Sequence, residues 1–132
     1  MSGDFFDTNV LIYLVSADAA KADRAEALVR QGGGISVQAL NEAANVMRRK
    51  FAIGWPETRE FLGLVRGLLE VSPITVETHE LGLELAERHA LSIYDSMVAA
   101  SAILKGCTRL WSEHMQHGMR IGALRIENPF LG

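Results

Sequence analysis

The segment Gly3-Asp4-Phe5-Phe6-Asp7-Thr8-Asn9 decides how the rest of the chain is interpreted. Its two phenylalanines suit a short buried strand, and the carboxylate of Asp7 follows them at once. The apolar run at 10–15 comes next and is far shorter than the ~20 residues that a membrane span requires. We therefore predict a strand, an acid at its carboxyl end, and a helix that starts near Asn9.

An acid in this position has two explanations. Asp and Asn favour helix N-caps, so Asp7 could serve only to cap the helix behind it. In open parallel sheets, however, ligands bind at the carboxyl ends of the strands, and a buried carboxylate costs free energy unless something pairs with it. The two explanations carry equal weight on this segment alone, and the rest of the chain shifts the balance.

Size and composition narrow the class of protein. The chain has 132 residues, 48% hydrophobic and 22% charged, which is typical of one globular domain, here placed at 1–132. A net charge of -3 argues against a protein coated in positive charge for nucleic acid, although it allows a local basic patch. No signal peptide is visible, and the single Cys107 cannot form an internal disulfide. We therefore expect a cytoplasmic protein without a membrane segment.

Apolar patterns along the chain predict alternating strands and helices. After the first strand, we expect strands at 35–37, 74–76 and 109–111, and a fifth, edge strand at 124–127. We expect one helix that ends near residue 31, two that span about 38–51 and 56–70, and another that ends near residue 89. A further helix is expected to begin near residue 92. Such alternation indicates an α/β fold with a mainly parallel sheet.

Three acids fall at the junctions of these elements. Asp7 ends the first strand, Asp95 lies in the first turn of a helix rich in small residues, and Glu42 lies beside apolar neighbours on the helix after the second strand. The ends of parallel strands share one edge of the sheet, and Mg²⁺ and Mn²⁺ prefer oxygen ligands. Such ions activate water and stabilise the charge of an in-line attack on a phosphodiester.

Each of these residues also has a structural explanation. Ser92-x-x-Asp95 resembles a capping box, and Glu42 can pair with a basic residue on an exposed helix face. His114 and His117 indicate a zinc pair only weakly, because further nitrogen or sulfur ligands are not evident. For each acid alone, a structural role is the better explanation. For the three acids together, at the ends of strands, metal binding and a structural role have equal weight.

Four segments, in this order, resemble a PIN domain: Asp7-Thr8-Asn9-Val10-Leu11-Ile12-Tyr13, Asn41-Glu42, Tyr94-Asp95-Ser96-Met97-Val98-Ala99-Ala100-Ser101-Ala102 and Asn128-Pro129-Phe130. The similarity covers essentially the whole chain and is greatest to the toxin ribonucleases of VapBC-type toxin–antitoxin pairs. It implies a three-layer α/β/α sandwich with a central, mainly parallel five-stranded sheet. It also implies Mg²⁺- or Mn²⁺-dependent cleavage of RNA, often tRNA or ribosomal RNA, by a homodimer that a cognate antitoxin inhibits.

The resemblance assigns roles by position. Asp7, Glu42 and Asp95 match the first three acids of the family, and Asn9 matches the polar residue that supports the first acid. On this basis we expect Asp7 and Asp95 to bind the metal that holds the attacking water. Glu42 is expected to help hold the metal or to orient the water.

The segment after the fourth strand departs from the family. Relatives commonly read Ser-Glu-Asp there, whereas this chain reads Ser112-Glu113-His114, so a histidine stands at the position of the fourth acid. Glu113 could replace that acid, or His114 could bind metal through nitrogen, and an engineered inactivation would also explain the histidine. One alternative function is thus an impaired PIN-fold protein that binds RNA or an antitoxin. A phosphatase with Asp7 as nucleophile ranks last, because Asn9 stands where a second Asp is usual.

Large apolar residues on two successive helices predict a dimer contact. The helices expected at 38–51 and 56–70 carry more of them than one face of a sheet needs. The candidates for an exposed seam are Met47, Phe51, Trp55, Phe61 and Leu62. Because two-fold dimers are the commonest oligomers, we expect a symmetric homodimer through this helical hairpin.

Overall fold

One six-stranded sheet runs through the computed structural model, which describes residues 3–131. Its strands are β1 (Asp4–Phe6), β2 (Gly34–Ser36), β3 (Glu70–Ser72), β4 (Arg109–Trp111), β5 (Arg120–Ile121) and β6 (Leu124–Glu127). Their order is β3-β2-β1-β4-β6-β5, and every pair is parallel except β5 with β6. The first strand therefore lies inside the sheet, with β2 on one side and β4 on the other.

Within the described residues, the two faces of this sheet are covered by six helices: α1 (Thr8–Tyr13), α2 (Ala19–Arg30), α3 (Val37–Arg49), α4 (Trp55–Leu68), α5 (Val76–His89) and α6 (Ile93–Leu104). Successive residues of a strand point to opposite faces, so Phe5 and Phe6 enter different cores. Phe6 packs with apolar residues of α1 to α4, and Phe5 packs with those of α5 and α6. No helix within residues 3–131 has the length and apolar character that crossing a bilayer demands.

The predicted α/β/α architecture with a mainly parallel sheet is confirmed, but the sheet has six strands and not five. The additional strand β5 forms a tight antiparallel hairpin with β6, in which Ile121 pairs with Leu124. Gly122 occupies the turn with a φ of 60°, a left-handed conformation that glycine adopts without strain. Because β5 lies outside β6, the prediction that residues 124–127 form an edge strand is wrong.

The strand predicted at 74–76 is also wrong. The third strand is Glu70–Ser72, which pairs with β2 and follows α4 directly, so the helix predicted to reach residue 70 ends at Leu68. Thr75 is instead the N-cap of α5, where its hydroxyl accepts a hydrogen bond from the Thr78 N–H in a reciprocal capping box. The β-branched residues that suggested a strand therefore lie at a helix start, and Val76 is 77% exposed.

The predicted dimer seam on α3 and α4 is narrower than expected. Met47 is only 2% exposed and belongs to the core, so its place in an exposed seam is a wrong prediction. Phe51, Phe61 and Leu62 are half-buried, and Trp55 is 58% exposed with the Arg48 guanidinium 4.3 Å from its ring centroid. Trp55 is therefore the one exposed residue of the predicted seam, and the other large apolar side chains that α3 and α4 expose are Val37, Leu64 and Leu68.

Candidate active site

The site is built around Asp7, which stands where β1 gives way to α1. Its backbone N–H donates to the Trp111 carbonyl at 3.0 Å, so the pairing of β1 with β4 continues to this residue. Asp7 is also the N-cap of α1, since its Oδ1 accepts from the Thr8 N–H at 2.8 Å. Capping therefore uses one oxygen of this carboxylate and leaves the other for contacts across the sheet.

The second oxygen of Asp7 is held by two side chains. Oδ2 accepts from the Ser112 hydroxyl at 2.8 Å and from the Asn9 Nδ2 at 3.2 Å. Ser112 reaches it because β1 and β4 pair in register, with Phe6 opposite Trp111, so the residues that follow the two strands are neighbours. Ser112 was assigned no role from the sequence, although the strand-end position that predicted Asp7 applies to it equally.

The environment of Asp7 disfavours its negative charge. Burial raises the pKa of this carboxyl, hydrogen bonds from Ser112 and Thr8 lower it, and the charges of Asp95 and Glu42 raise it again. The net effect is a pKa above the ordinary value of 3.8. The charged groups that act on Asp7 are thus both acids, which is the electrostatic setting that a bound cation would relieve.

Glu42 is held on α3 by residues of two helices. Its Oε2 accepts from the Thr8 hydroxyl at 2.7 Å, and its Oε1 accepts from the Gln38 Nε2 at 3.2 Å. Thr8 therefore connects Glu42 to the helix that Asp7 caps. These contacts fix Glu42 in a half-buried position beside α1 and account for its electrostatic effect on Asp7.

Asp95 approaches the site from the opposite layer. It lies in the first turn of α6, where its N–H donates to the hydroxyl of the N-cap Ser92 at 3.1 Å. The capping role expected of Ser92 is thus present, and the Asp95 carboxylate raises the pKa of Asp7 from across the sheet edge. Asp7, Glu42 and Asp95 accordingly come from three different elements and share one edge.

The two residues after Ser112 behave differently from each other. Glu113 accepts hydrogen bonds at both oxygens, from the Tyr13 hydroxyl at 2.8 Å and from the Lys21 ammonium at 2.6 Å. Partial burial raises the pKa of Glu113, but the hydrogen bonds from Lys21 and Tyr13 outweigh it, and the pKa lies below its ordinary value. His114, by contrast, is exposed.

His117 has a structural contact near the end of the chain. Its Nδ1 accepts a hydrogen bond from the Asn128 N–H at 2.9 Å, which fastens the segment after β4 to the residues that follow β6. Because Nδ1 accepts this bond, the neutral ring carries its proton on Nε2, and neither nitrogen is free for a metal. Within residues 3–131 a zinc site through His114 and His117 therefore gains no support.

The fit of the acids to a divalent cation is partial. Their donors are all oxygens, as Mg²⁺ and Mn²⁺ prefer, and Asp7 carries a poorly compensated charge. Yet within residues 3–131 no three His, Cys, Asp or Glu side chains are grouped closely enough to hold one ion. The convergence of Asp7, Glu42 and Asp95 on a shared coordination sphere is therefore not confirmed, and their role as ligands stays a prediction.

Comparison with known proteins places this geometry in a family. A PIN domain family model matches residues 5–117. A toxin–antitoxin complex from Klebsiella pneumoniae is similar with a TM-score of 0.73 and 21% identity, over 96% of this chain and 98% of that one. VapC20 of Mycobacterium tuberculosis, a sarcin–ricin loop cleaving toxin, has a TM-score of 0.67 and 21% identity over 83% and 88% of the two chains.

A third similar structure is DNA-bound VapBC from Salmonella typhimurium, with a TM-score of 0.67 and 23% identity over 98% of this chain and 99% of that one. No curated protein sequence matches the chain significantly. At these identities the structural neighbours show the fold, while the family model covers well over half of the chain. The parallel sheet, the acids at its edge and the family match agree, and the chain belongs to the PIN domain family.

Proposed function

We propose that this protein is a metal-dependent endoribonuclease that acts as the toxin of a toxin–antitoxin pair. The observation that carries the proposal is Asp7, buried at the carboxyl end of an interior strand of a PIN fold, with two further acids acting on it. Solved structures similar to this chain include a toxin–antitoxin complex and a toxin that cleaves the sarcin–ricin loop. We accordingly assign RNA, tRNA or ribosomal RNA, as substrate and a cognate antitoxin as partner, in a single-domain cytoplasmic protein.

In this proposal Asp7, Glu42 and Asp95 hold Mg²⁺ or Mn²⁺, with His114 or Glu113 as the candidates for a further donor. A divalent cation supplies activation of water and neutralisation of phosphate charge when bound. Polar neighbours of Asp7 and Glu42 hold these carboxylates in place through hydrogen bonds.

Asn9 and Ser112 fix one oxygen of Asp7, and Thr8 and Gln38 fix both oxygens of Glu42. Glu42 is thereby oriented to help hold the cation or to align the water that attacks the phosphorus.

We expect Mg²⁺ or Mn²⁺ to raise the thermal midpoint of the protein. A ligand that binds only the native state at about 100 times its Kd adds about 2.7 kcal/mol to the free energy of unfolding. The midpoint can be followed by calorimetry during titration with each chloride salt, against a potassium chloride series of equal ionic strength. Asp7→Asn should lose the shift and Glu84→Gln, which changes an exposed acid on α5, should keep it. If neither cation moves the parent's midpoint, the proposed metal site is wrong.

We also expect a homodimer in solution through the surface around Trp55. Light scattering at micromolar concentration should give twice the monomer mass. Trp55→Glu should reduce the mass to that of the monomer, because it replaces an exposed aromatic side chain of the proposed contact with a charge. The matched control is Val76→Glu, since Val76 is equally apolar and still more exposed but lies at the start of α5. A monomeric parent, or dissociation by both variants alike, contradicts this interface.

A second candidate function is supported by two observations at the same edge. His114 stands where the family has its fourth acid, and the three remaining acids are not grouped as one set of ligands. A PIN-fold protein of this kind would bind RNA or an antitoxin and cleave inefficiently. Retention of a labelled RNA on the protein without cleavage in either Mg²⁺ or Mn²⁺ would favour this alternative.

A further inference from the structure

A small polar cluster lies beside the candidate site, and two of its three members have no role in the proposed function. It consists of Tyr13 at the end of α1, Lys21 in the first half of α2, and Glu113 in the segment after β4. Lys21 Nζ lies 2.6 Å from Glu113 Oε2 and 3.1 Å from the Tyr13 oxygen, and the Tyr13 hydroxyl donates to Glu113 Oε1 at 2.8 Å. The three groups therefore form a closed triangle of hydrogen bonds, which we call the Glu113 clamp.

Aromatic rings fix the cation of this clamp. Lys21 Nζ lies 4.6 Å from the centroid of the Tyr13 ring and 5.2 Å from that of Phe130, and the two rings meet edge to face at 4.7 Å. Aromatic faces attract an ammonium group and restrict where it can sit. The side chain of Lys21 is 33% exposed and that of Glu113 is 18% exposed, so the contact is only partly shielded from water.

The clamp is connected to Asp7 by a short path of hydrogen bonds. The Glu113 backbone N–H donates to Asn9 Oδ1 at 3.0 Å, and Asn9 Nδ2 donates to Asp7 Oδ2 at 3.2 Å. Ser112, the residue before Glu113, donates to the same Asp7 oxygen at 2.8 Å. When the Glu113 side chain is held in place, its backbone is held as well. That backbone positions Ser112, the preceding residue, and Asn9, which accepts from the Glu113 N–H, and both side chains donate to Asp7.

We propose that Glu113 is a positioning residue: held by Lys21 and Tyr13, it aligns Ser112 and Asn9, which in turn orient the Asp7 carboxylate for cation binding. This inference rests on the proposed function for its effect on metal, and it differs from the role of a replacement fourth ligand. Glu113 is already paired with the Lys21 ammonium at 2.6 Å, so serving as a ligand would place a divalent cation beside a positive charge that repels it. Residues that orient a metal ligand typically change affinity or activity about 10–100-fold.

The two roles predict opposite effects when the clamp is opened. If Glu113 were a metal ligand, Lys21→Met would free a carboxylate and remove a competing cation, and Mn²⁺ would bind more tightly. If Glu113 positions Asp7, Lys21→Met loosens the support and Mn²⁺ binds about tenfold more weakly. Tyr13→Phe separates orientation from charge, because it removes one hydrogen bond and leaves the net charge unchanged.

The experiment is calorimetric titration of the metal-free full chain with Mn²⁺, for the parent and for Tyr13→Phe, Lys21→Met, Lys21→Arg and Glu113→Gln. We expect weaker binding for Tyr13→Phe, a loss of about tenfold for Lys21→Met and Glu113→Gln, and near-parent affinity for Lys21→Arg. The double variant Lys21→Met/Glu113→Gln should cost no more than the worse single change, because the two residues act as a unit. Tighter binding in Lys21→Met overturns the proposal.

Lys105→Met is the matched control, since it also breaks a lysine–glutamate pair, here with Glu70 at the start of β3. It should leave Mn²⁺ affinity unchanged. With a fluorescently labelled RNA oligonucleotide, kcat of the clamp variants should fall about tenfold while KM stays within about twofold. A fall in kcat that Lys21→Arg fails to restore would indicate a purely structural role and would overturn the inference.

A readout without metal distinguishes failure of the clamp from failure of the proposed function. The side-chain amide signals of Asn9 in nuclear magnetic resonance spectra should shift in Tyr13→Phe and Lys21→Met and stay in place in Lys21→Arg and Lys105→Met. Should the parent bind no Mn²⁺ at all, the proposed metal site fails, and these signals alone decide whether Glu113 positions Asn9. Unchanged Asn9 signals in Lys21→Met would refute the clamp whatever the metal does.

Discussion

Replacing Asp7 with asparagine is expected to abolish RNA cleavage and, at neutral pH, to stabilise the metal-free protein. The carboxylate is the most buried of the candidate acids and the one on which the other two act. Removing one group that stabilises charge in a transition state typically costs about 10²–10³ in kcat, and in the proposed mechanism the loss of Asp7 as a metal ligand should cost at least as much. The first measurement is cleavage of a labelled RNA in Mg²⁺ and in Mn²⁺.

The gain in stability has a defined dependence on pH. Burial and the charges of Asp95 and Glu42 hold the pKa of Asp7 above 3.8 in the folded protein. A carboxyl of this kind favours the fold while it is protonated, and that contribution is lost as the pH rises from about 4 through the raised pKa. The asparagine side chain of the variant does not ionise, so the difference in free energy of unfolding should grow in its favour over that range.

Urea denaturation of the parent and Asp7→Asn at a series of pH values measures this difference. Both oxygens of Asp7 accept hydrogen bonds, so the amide nitrogen of the variant would face either the Thr8 N–H or the donors of Ser112 and Asn9. This mismatch reduces the gain in stability at every pH but leaves its dependence on pH unchanged. Glu26→Gln, which alters an exposed acid on α2, should show no such trend. If the difference in free energy of unfolding between the two proteins stays constant between about pH 4 and 8, the pKa of Asp7 is not raised as described above.

His114→Asp should increase Mg²⁺-dependent cleavage at least about tenfold. Aspartate restores an anionic oxygen at the position where the family has its fourth acid, and Mg²⁺ takes oxygen ligands far more readily than nitrogen. The same reasoning predicts that Mn²⁺ supports the parent better than Mg²⁺ does, because Mn²⁺ accepts imidazole more readily. The added acid should also make the metal-free protein slightly less stable, since it increases repulsion around Asp7.

Cleavage rates of the parent and His114→Asp across concentrations of both cations test this expectation, with Asp7→Asn as the blank. His114→Asn serves as the matched control, because it changes the residue without adding charge. Equal rates for the parent and His114→Asp under all conditions would mean that three acids suffice. A faster His114→Asp variant would show that His114 limits cleavage, and the rate of the parent itself then decides whether the protein is an active nuclease or an impaired one.

The sequence predicted the layers of the fold better than it predicted its edges. Long apolar runs and capped helices mark the interior strands and the two cores, because burial imposes those patterns on many residues at once. Strand β3 pairs on one side only and β5 has two residues, so neither carries a clear periodicity. Pro73 marks the end of β3, but the β-branched residues near Thr75 favoured a strand there instead. Gly122 marks the turn after β5, which is too short to be recognised from its pattern.

At the site, the sequence located acids but not the residues that hold them. Asp7 was predictable because it follows a strand directly. Ser112 also follows a strand, and it could have been placed beside Asp7 once β4 was known to pair with β1. Lys21 and Glu113 lie 92 positions apart, and their contact depends on how α2 packs against the end of β4. Charged residues on separate elements carry no period, so only the assembled structure shows that they meet.

The position of β1 between β2 and β4 has a consequence for the timing of biosynthesis. Asp7 is made well before Ser112, which holds its Oδ2 and is 105 positions further along the chain. Contacts between such distant positions form only after a large loop has closed. A nascent chain that has not yet added and paired β4 therefore carries its central acid without this support. The completed arrangement arises only after β4 and Ser112 have left the ribosome.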